Sequence, residues 1–149
     1  MKSNLPNNHI LPSQNEPSIG MISLSENKFW NRIPESEGVY FIHSYNDENC
    51  TKLYRVLGQD EEGVLYIGKS KNIRERLRML WRVLNPKLKA TAHTFGTKYN
   101  TNKKLREAFP SKSLYVSYRT TIEPKKLESE LLDKYFLKYG EVPPFNSSK

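Results

Sequence analysis

GVLYIGKSKNIRERLRMLWRVL, residues 63–84, reads as a strand running straight into a helix, and this junction sets the fold class. GVLYIG (63–68) is short and rich in β-branched and aromatic residues, which suit a pleated, buried surface. Asn72 then opens a helix, because Glu75 lies three residues on and completes a capping-box pattern. Ile73, Leu77, Leu80, Trp81 and Leu84 share one helical face, Arg76 stands at its shoulder, and Arg78 and Arg82 point further out. Pro86 ends the helix.

Working outward, GVYFIHSY (38–45) is a second strand, and NDENC after it is a turn. KLYRVLG (52–58) and GVLYIG, joined by QDEE, form a hairpin, so a three-stranded meander is expected. SLYVSYRT (113–120) alternates as a further strand, and Lys103–Phe109 fits a short helix. Polar residues 87–102 give no assignment. Pro124 at a first helical position starts a last helix that Gly140 closes, and VPPFN runs on in extended form to Asn146. The expected fold class is α+β, a small mainly antiparallel sheet flanked by helices. Residues 1–27, rich in Asn, Ser and Pro, read as a flexible tail ahead of a domain at 28–149 that Phe29 and Trp30 open.

In the last helix, Leu127, Leu131, Leu132, Tyr135 and Tyr139 make one stripe with Glu128 at its centre, while Glu130 and Asp133 fall on the solvated side. A buried, unpaired carboxylate costs several kcal/mol. Glu128 must therefore be protonated, ion-paired or bound to a cation.

The 149 residues carry 24 Lys+Arg against 16 Asp+Glu, a net charge of +8, and the length fits one domain with a modest core. The excess is concentrated: Lys69, Lys71, Arg74, Arg76, Arg78, Arg82, Lys87 and Lys89 face only Glu75 between residues 69 and 89. Such a positive surface attracts polyphosphates, nucleic acid above all, although a run of charge also serves as a solubilising face. Cys50 is the sole cysteine, which excludes an intrachain disulfide and a Cys-based zinc site. No stretch approaches the ~18 apolar residues of a membrane span, and the N-terminus lacks a signal-peptide core, so a soluble, cytoplasmic protein with no membrane partner is expected.

Gly38-Val39-Tyr40 and Tyr66-Ile67-Gly68 on neighbouring strands resemble the signature of the GIY-YIG nuclease family. Each triplet is common by chance, but the order continues. Lys69 follows the second tyrosine by three positions and Arg76 by ten; Glu128, Leu131, Leu132 and Tyr135 match the family's E-x-x-[LI]-[LI]-x-x-[YF] helix; Asn146 ends a Pro-containing extended segment. The likeness covers about residues 33–146. Two intervals are longer than usual in the family: Tyr40 to Tyr66, which suggests an extra strand around 52–58, and Glu128 to Asn146, which suggests added helical turns.

The resemblance implies a divalent-metal-dependent endonuclease that hydrolyses DNA phosphodiester bonds by in-line attack of water, leaving a 5′ phosphate and a 3′ hydroxyl. It implies Tyr40, Tyr66, Lys69, Arg76, Glu128 and Asn146 as catalytic residues, with Glu128 the ligand of Mg²⁺ (or Mn²⁺). One carboxylate suits Mg²⁺, which keeps water and phosphate oxygens around it, whereas His9, His43 and His93 have no Zn²⁺ ligand spacing. Glu130 is the fallback ligand. Arg76 would clamp the scissile phosphate with its planar fork. One tyrosine would be the general base, with a slight preference for Tyr40, against an ionisation cost near ~4 kcal/mol at neutral pH for an ordinary phenol. Lys71, Arg74, Arg78, Arg82, Lys87 and Lys89 would contact double-stranded DNA. His93, in AHTFG, fits an exposed loop histidine better than a phosphate contact. The alternative is a non-cleaving nucleic-acid-binding module of the same fold. Cutting both strands raises the prospect of a homodimer.

Overall fold

The computed structural model describes residues 21–46, 49–85, 87 and 93–147. They form an α+β fold in which one antiparallel sheet lies between helices. Its central strand is β2 (Gly38–Asn46), flanked by β6 (Val64–Ser70) and β7 (Leu114–Thr120), with β1 (Ile22–Ser23) beyond β7 and β3 (Asn49–Cys50) on the far end of β2. Tyr40 stands opposite Gly68 on one side and Tyr118 on the other, and Ile42 stands opposite Tyr66.

The two faces of the sheet bury different helices. Tyr40, Ile42 and Tyr66 share a core with Ile73, Leu77 and Leu80 of α1 (Ile73–Leu84) and with Phe95 and Tyr99 of α2 (Thr94–Thr101). Val39, Phe41 and Ile67 pack on Leu131, Leu132, Tyr135 and Tyr139 of α4 (Pro124–Tyr139), with Leu127 at the margin. Each fully buried aliphatic side chain stabilises this arrangement by ~1.5–3 kcal/mol relative to exposure. Both long helices begin and end where the sequence predicts, although the capping box of α1 is only half formed: Asn72 N–H donates to Ser70 Oγ at 3.0 Å, and the Glu75 carboxylate turns to Arg78 instead. Asn72 caps α1 by accepting Glu75 N–H at 3.1 Å, and Gly140 ends α4 at φ 78°, a left-handed conformation that costs glycine little. The short α3 (Lys103–Ala108) also falls where expected. No helix among the described residues is long and apolar enough to cross a membrane.

Three expectations change. The meander is absent: β2 pairs directly with β6, while β4 (Leu53–Arg55) and β5 (Gly58–Asp60) form a separate hairpin inserted between them. The turn lies at Val56-Leu57, because Asp60 works as the end of a strand and not as a turn residue of QDEE. Its buried carboxylate accepts N–H bonds from Glu62, Gly63 and Val64 at 2.9–3.1 Å and the Tyr135 hydroxyl at 2.9 Å. Second, folded structure starts before residue 28, since Ile22 pairs with Val116 and Leu24 is buried; residues 1–20 of the expected tail lie outside the described residues. Third, the unassigned segment contains α2. Gly96 permits its close packing on α1, because a Cβ there would stand 2.6 Å from Val83 Cγ1.

Candidate active site

Strand pairing and two glycines bring the tyrosines together. Because Tyr40 faces Gly68 across the β2–β6 ladder, its ring lies over a residue with no side chain; a Cβ on Gly68 would come within 2.5 Å of the Tyr40 hydroxyl and 2.7 Å of the Tyr66 ring. Gly38 is equally constrained, since a Cβ would meet Arg119 O at 2.3 Å. The Tyr40 and Tyr66 rings are 6.0 Å apart, Tyr40 wholly buried and Tyr66 9 % exposed.

His93 completes an aromatic triangle, its ring 5.9 Å from Tyr40 and 6.0 Å from Tyr66. It is buried, which corrects the expectation of an exposed loop histidine. His93 caps α2: Nδ1 accepts Gly96 N–H at 3.4 Å, so in the neutral ring Nε2–H donates to the Tyr40 hydroxyl at 2.9 Å. Burial, reinforced by the Arg76 charge, lowers its pKa to about 3, so the ring is neutral throughout the physiological range.

Arg76 enters the triangle from α1. Burial, then the neighbouring Tyr66, pushes the Tyr40 phenol far above its usual range, and Arg76 opposes this through its charge and a hydrogen bond. Tyr66 is also raised, chiefly by burial, but its ionised form is favoured by the Arg76 charge and by hydrogen bonds from Tyr40 and Thr94. His93 thus donates to Tyr40, which in turn lies beside Tyr66. Tyr66 is the phenol at the open end.

Glu128 approaches from the opposite face of the sheet, around the outer edge of β6, closely enough for its charge to oppose ionisation of Tyr66. Its carboxylate is 19 % exposed and ion-paired, Oε1 accepting from Lys69 Nζ at 3.1 Å. Of the three fates open to this acid, an ion pair is the one that its side-chain neighbours supply. A hard oxygen donor at the rim fits Mg²⁺, although Lys69 must share the carboxylate with the ion. Among the described residues, no cluster of three or more His, Cys, Asp or Glu side chains could enclose a metal, so a cation here would rest on Glu128 with water or substrate oxygen. Glu130 is exposed beside Lys71, Lys125 and Lys126 on a surface cavity of about 610 Å³ at the start of α4.

Asn146 lies on the outer edge of β6 instead of in the triangle. Its amide bonds both backbone groups of Ile67, and Phe145 N–H donates to Leu65 O at 2.9 Å, so the C-terminal segment acts as a substitute strand. Lys98 of α2 fastens that segment through Phe145 O at 3.0 Å and Ser147 Oγ at 2.6 Å. The basic run divides. Arg74 bonds Ile33 O at 2.6 Å and approaches Glu35; Arg78 pairs with Glu75 at 2.8 Å; Lys71 and Lys87 are exposed and Arg82 is half-buried. Lys89 lies outside the described residues.

No family model, curated protein or solved structure matches the chain. The resemblance therefore stands on the quoted residues. Sequence reasoning missed Thr94 and the burial of His93, whose signal was a histidine in an N-cap position where Ser, Thr, Asn or Asp is usual.

Proposed function

We propose that the protein is a divalent-metal-dependent endonuclease acting on DNA, with Tyr66 as general base, Arg76 as phosphate clamp and Glu128 as metal ligand. The observation that carries this reading is the convergence of Tyr40, Tyr66, His93 and Arg76 in one cluster, electrostatically coupled to Glu128. Phosphodiester hydrolysis needs a water, a base for its proton and positive charge against the phosphoryl oxygens. An ion held by Glu128 would supply part of that charge and make bound water more acidic.

The chain's own groups support the rest. Tyr40 is sealed from solvent and its hydroxyl favours the ionised form of Tyr66, so its task is to stabilise a Tyr66 phenolate; this turns the slight sequence preference for Tyr40 toward Tyr66. Neutral His93 fixes Tyr40 by donating to its oxygen. Arg76, a permanent cation, both eases ionisation of the phenols and offers two N–H groups to phosphate. Lys69 holds the Glu128 carboxylate in place and can turn to a phosphate when a cation takes its share.

A non-cleaving nucleic-acid-binding module is the second reading, favoured by the Lys69–Glu128 pair and by two phenols with raised pKa values. Duplex binding and cleavage measured side by side separate the two. Cleavage should require Mg²⁺ or Mn²⁺ and stop with chelator; binding should survive chelator and weaken with a log K against log salt slope of about −4 to −5 if roughly five phosphates are neutralised. Binding with no cleavage under any metal would favour the module.

A further inference from the structure

Among the described residues, five of the six large apolar side chains that face solvent fall into one neighbourhood that the proposed chemistry does not use, and the sixth, Ile122, stands apart just before the start of α4. At the β4–β5 turn, Tyr54, Val56 and Leu57 are 81 %, 69 % and 65 % exposed; on the last turns of α4, Leu137 is 78 % and Phe136 38 % exposed. These two groups are joined. Leu57 N–H donates to Tyr139 O at 3.0 Å, and a Cβ on Gly140 would touch Leu57 Cγ at 2.8 Å and Val56 Cβ at 3.3 Å. Gly140 N–H in turn bonds Phe136 O at 2.7 Å, so Phe136 and Leu137 lie one helical turn from the hairpin tip.

From these five side chains we infer that the hairpin tip and the C-terminal end of α4 form a self-association surface, occupied by the same surface of a second copy of this chain.

Size and charge select that occupant. Five side chains so exposed present on the order of 500 Å² of apolar surface, at the upper end for a monomer and well over half of the ~800 Å² that each partner gives a standard interface. The rim is divided by sign. Lys134 and Lys138 are exposed on the helix side, while Glu61 and Glu62 border the hairpin side, near enough to Tyr139 to add to the burial that raises its phenol. A two-fold contact sets helix against hairpin, and each basic flank then meets an acidic one. Duplex DNA is a poor match for a surface edged by Glu61 and Glu62. The location also suits two copies of a positively charged protein, because α4 and the basic helix α1 cover opposite faces of the sheet.

Arg55 gives the hairpin the rigidity that an interface needs. Its guanidinium pairs with Glu141 at 2.7 Å and donates to Val142 O at 2.6 Å, tying the two-stranded unit to the chain just after α4. A hairpin of this size is marginal without such support.

Sedimentation velocity of the full chain between about 1 and 100 µM tests the inference and is independent of any nuclease activity. A concentration-dependent dimer is expected, and Leu137→Asp and Leu57→Asp should each raise its dissociation constant at least tenfold with unchanged far-ultraviolet circular dichroism. Charge reversal guards against misfolding by either variant. Lys138→Glu and Glu61→Lys should each weaken the dimer alone and restore it when mixed. A monomer at every concentration, a dimer indifferent to both leucine variants, or a surface that binds only lipid vesicles or duplex DNA would overturn it.

Discussion

The Asn146 side-chain amide closes a two-bond ring with the backbone of Ile67: Oδ1 accepts the Ile67 N–H at 3.0 Å, and Nδ2 donates to the Ile67 carbonyl at 2.9 Å. Ile67 is the residue after Tyr66, so this ring fixes the outer edge of the strand that carries the proposed base. On the proposed function, Asn146 then acts by positioning that strand. Asn146→Asp keeps the acceptor but sets a carboxylate against a carbonyl, and should cost ~1–3 kcal/mol in urea unfolding and slow cleavage at unchanged duplex affinity. Unaltered stability would show that the ring does not hold the edge.

Removing the two phenolic hydroxyls should have unequal effects. Tyr66→Phe deletes the proposed base and should slow single-turnover cleavage by roughly 10²–10⁴. Tyr40→Phe deletes only the donor that steadies its ionised form and should cost about tenfold. The reverse ranking would return the base to Tyr40.

Arg76→Ala should abolish cleavage while changing duplex affinity by less than about threefold, since the clamp acts on one phosphate among several. The same substitution removes one of the two causes that depress His93, so the His93 pKa should rise when followed by NMR. A histidine that titrates as before would place the guanidinium elsewhere.

Acid should destabilise the fold through its buried histidines. His43 is fully buried with neither ring nitrogen hydrogen-bonded to the described residues, and burial lowers its pKa to about 4; His93 falls to about 3. Both folded values lie below the unfolded value near ~6.5, so the folded state binds protons less readily. Stability from this source is complete above pH ~6.5 and declines as pH falls toward 4 and then 3, by on the order of 3 kcal/mol for His43 alone. His43→Phe fits among Tyr45 and Tyr115, and should raise Tm at pH 5 more than at pH 8. A Tm gain independent of pH would contradict the assignment.

The sequence was legible where periodicity and punctuation agree. Asn72 with Glu75 and the Ile73–Leu84 stripe mark α1, while Pro124, the leucine–tyrosine stripe and Gly140 mark α4. In α2 the same signals conflict, because the buried positions Phe95, Gly96 and Tyr99 include a glycine that reads as a breaker until Val83 is seen against it. The β4–β5 hairpin was misread for a related reason. Apolar Val56 and Leu57 occupy a turn, and Asp60 is held in a strand by bonds from distant Tyr135, a contact no local pattern encodes. In the site, Tyr40, Tyr66, Arg76 and Glu128 followed from motif order. The histidine contact did not, because the link from His93 to Tyr40 spans 53 residues.

The most direct measurement is the conversion of supercoiled plasmid by purified protein in Mg²⁺, with Glu128→Gln alongside and the ends mapped. Nicked or linear product bearing 5′ phosphates is expected, none with chelator, and a rate at least ~10³ lower for Glu128→Gln at equal duplex affinity. Intact plasmid with wild-type protein in both Mg²⁺ and Mn²⁺, or equal cutting by Glu128→Gln, would contradict it.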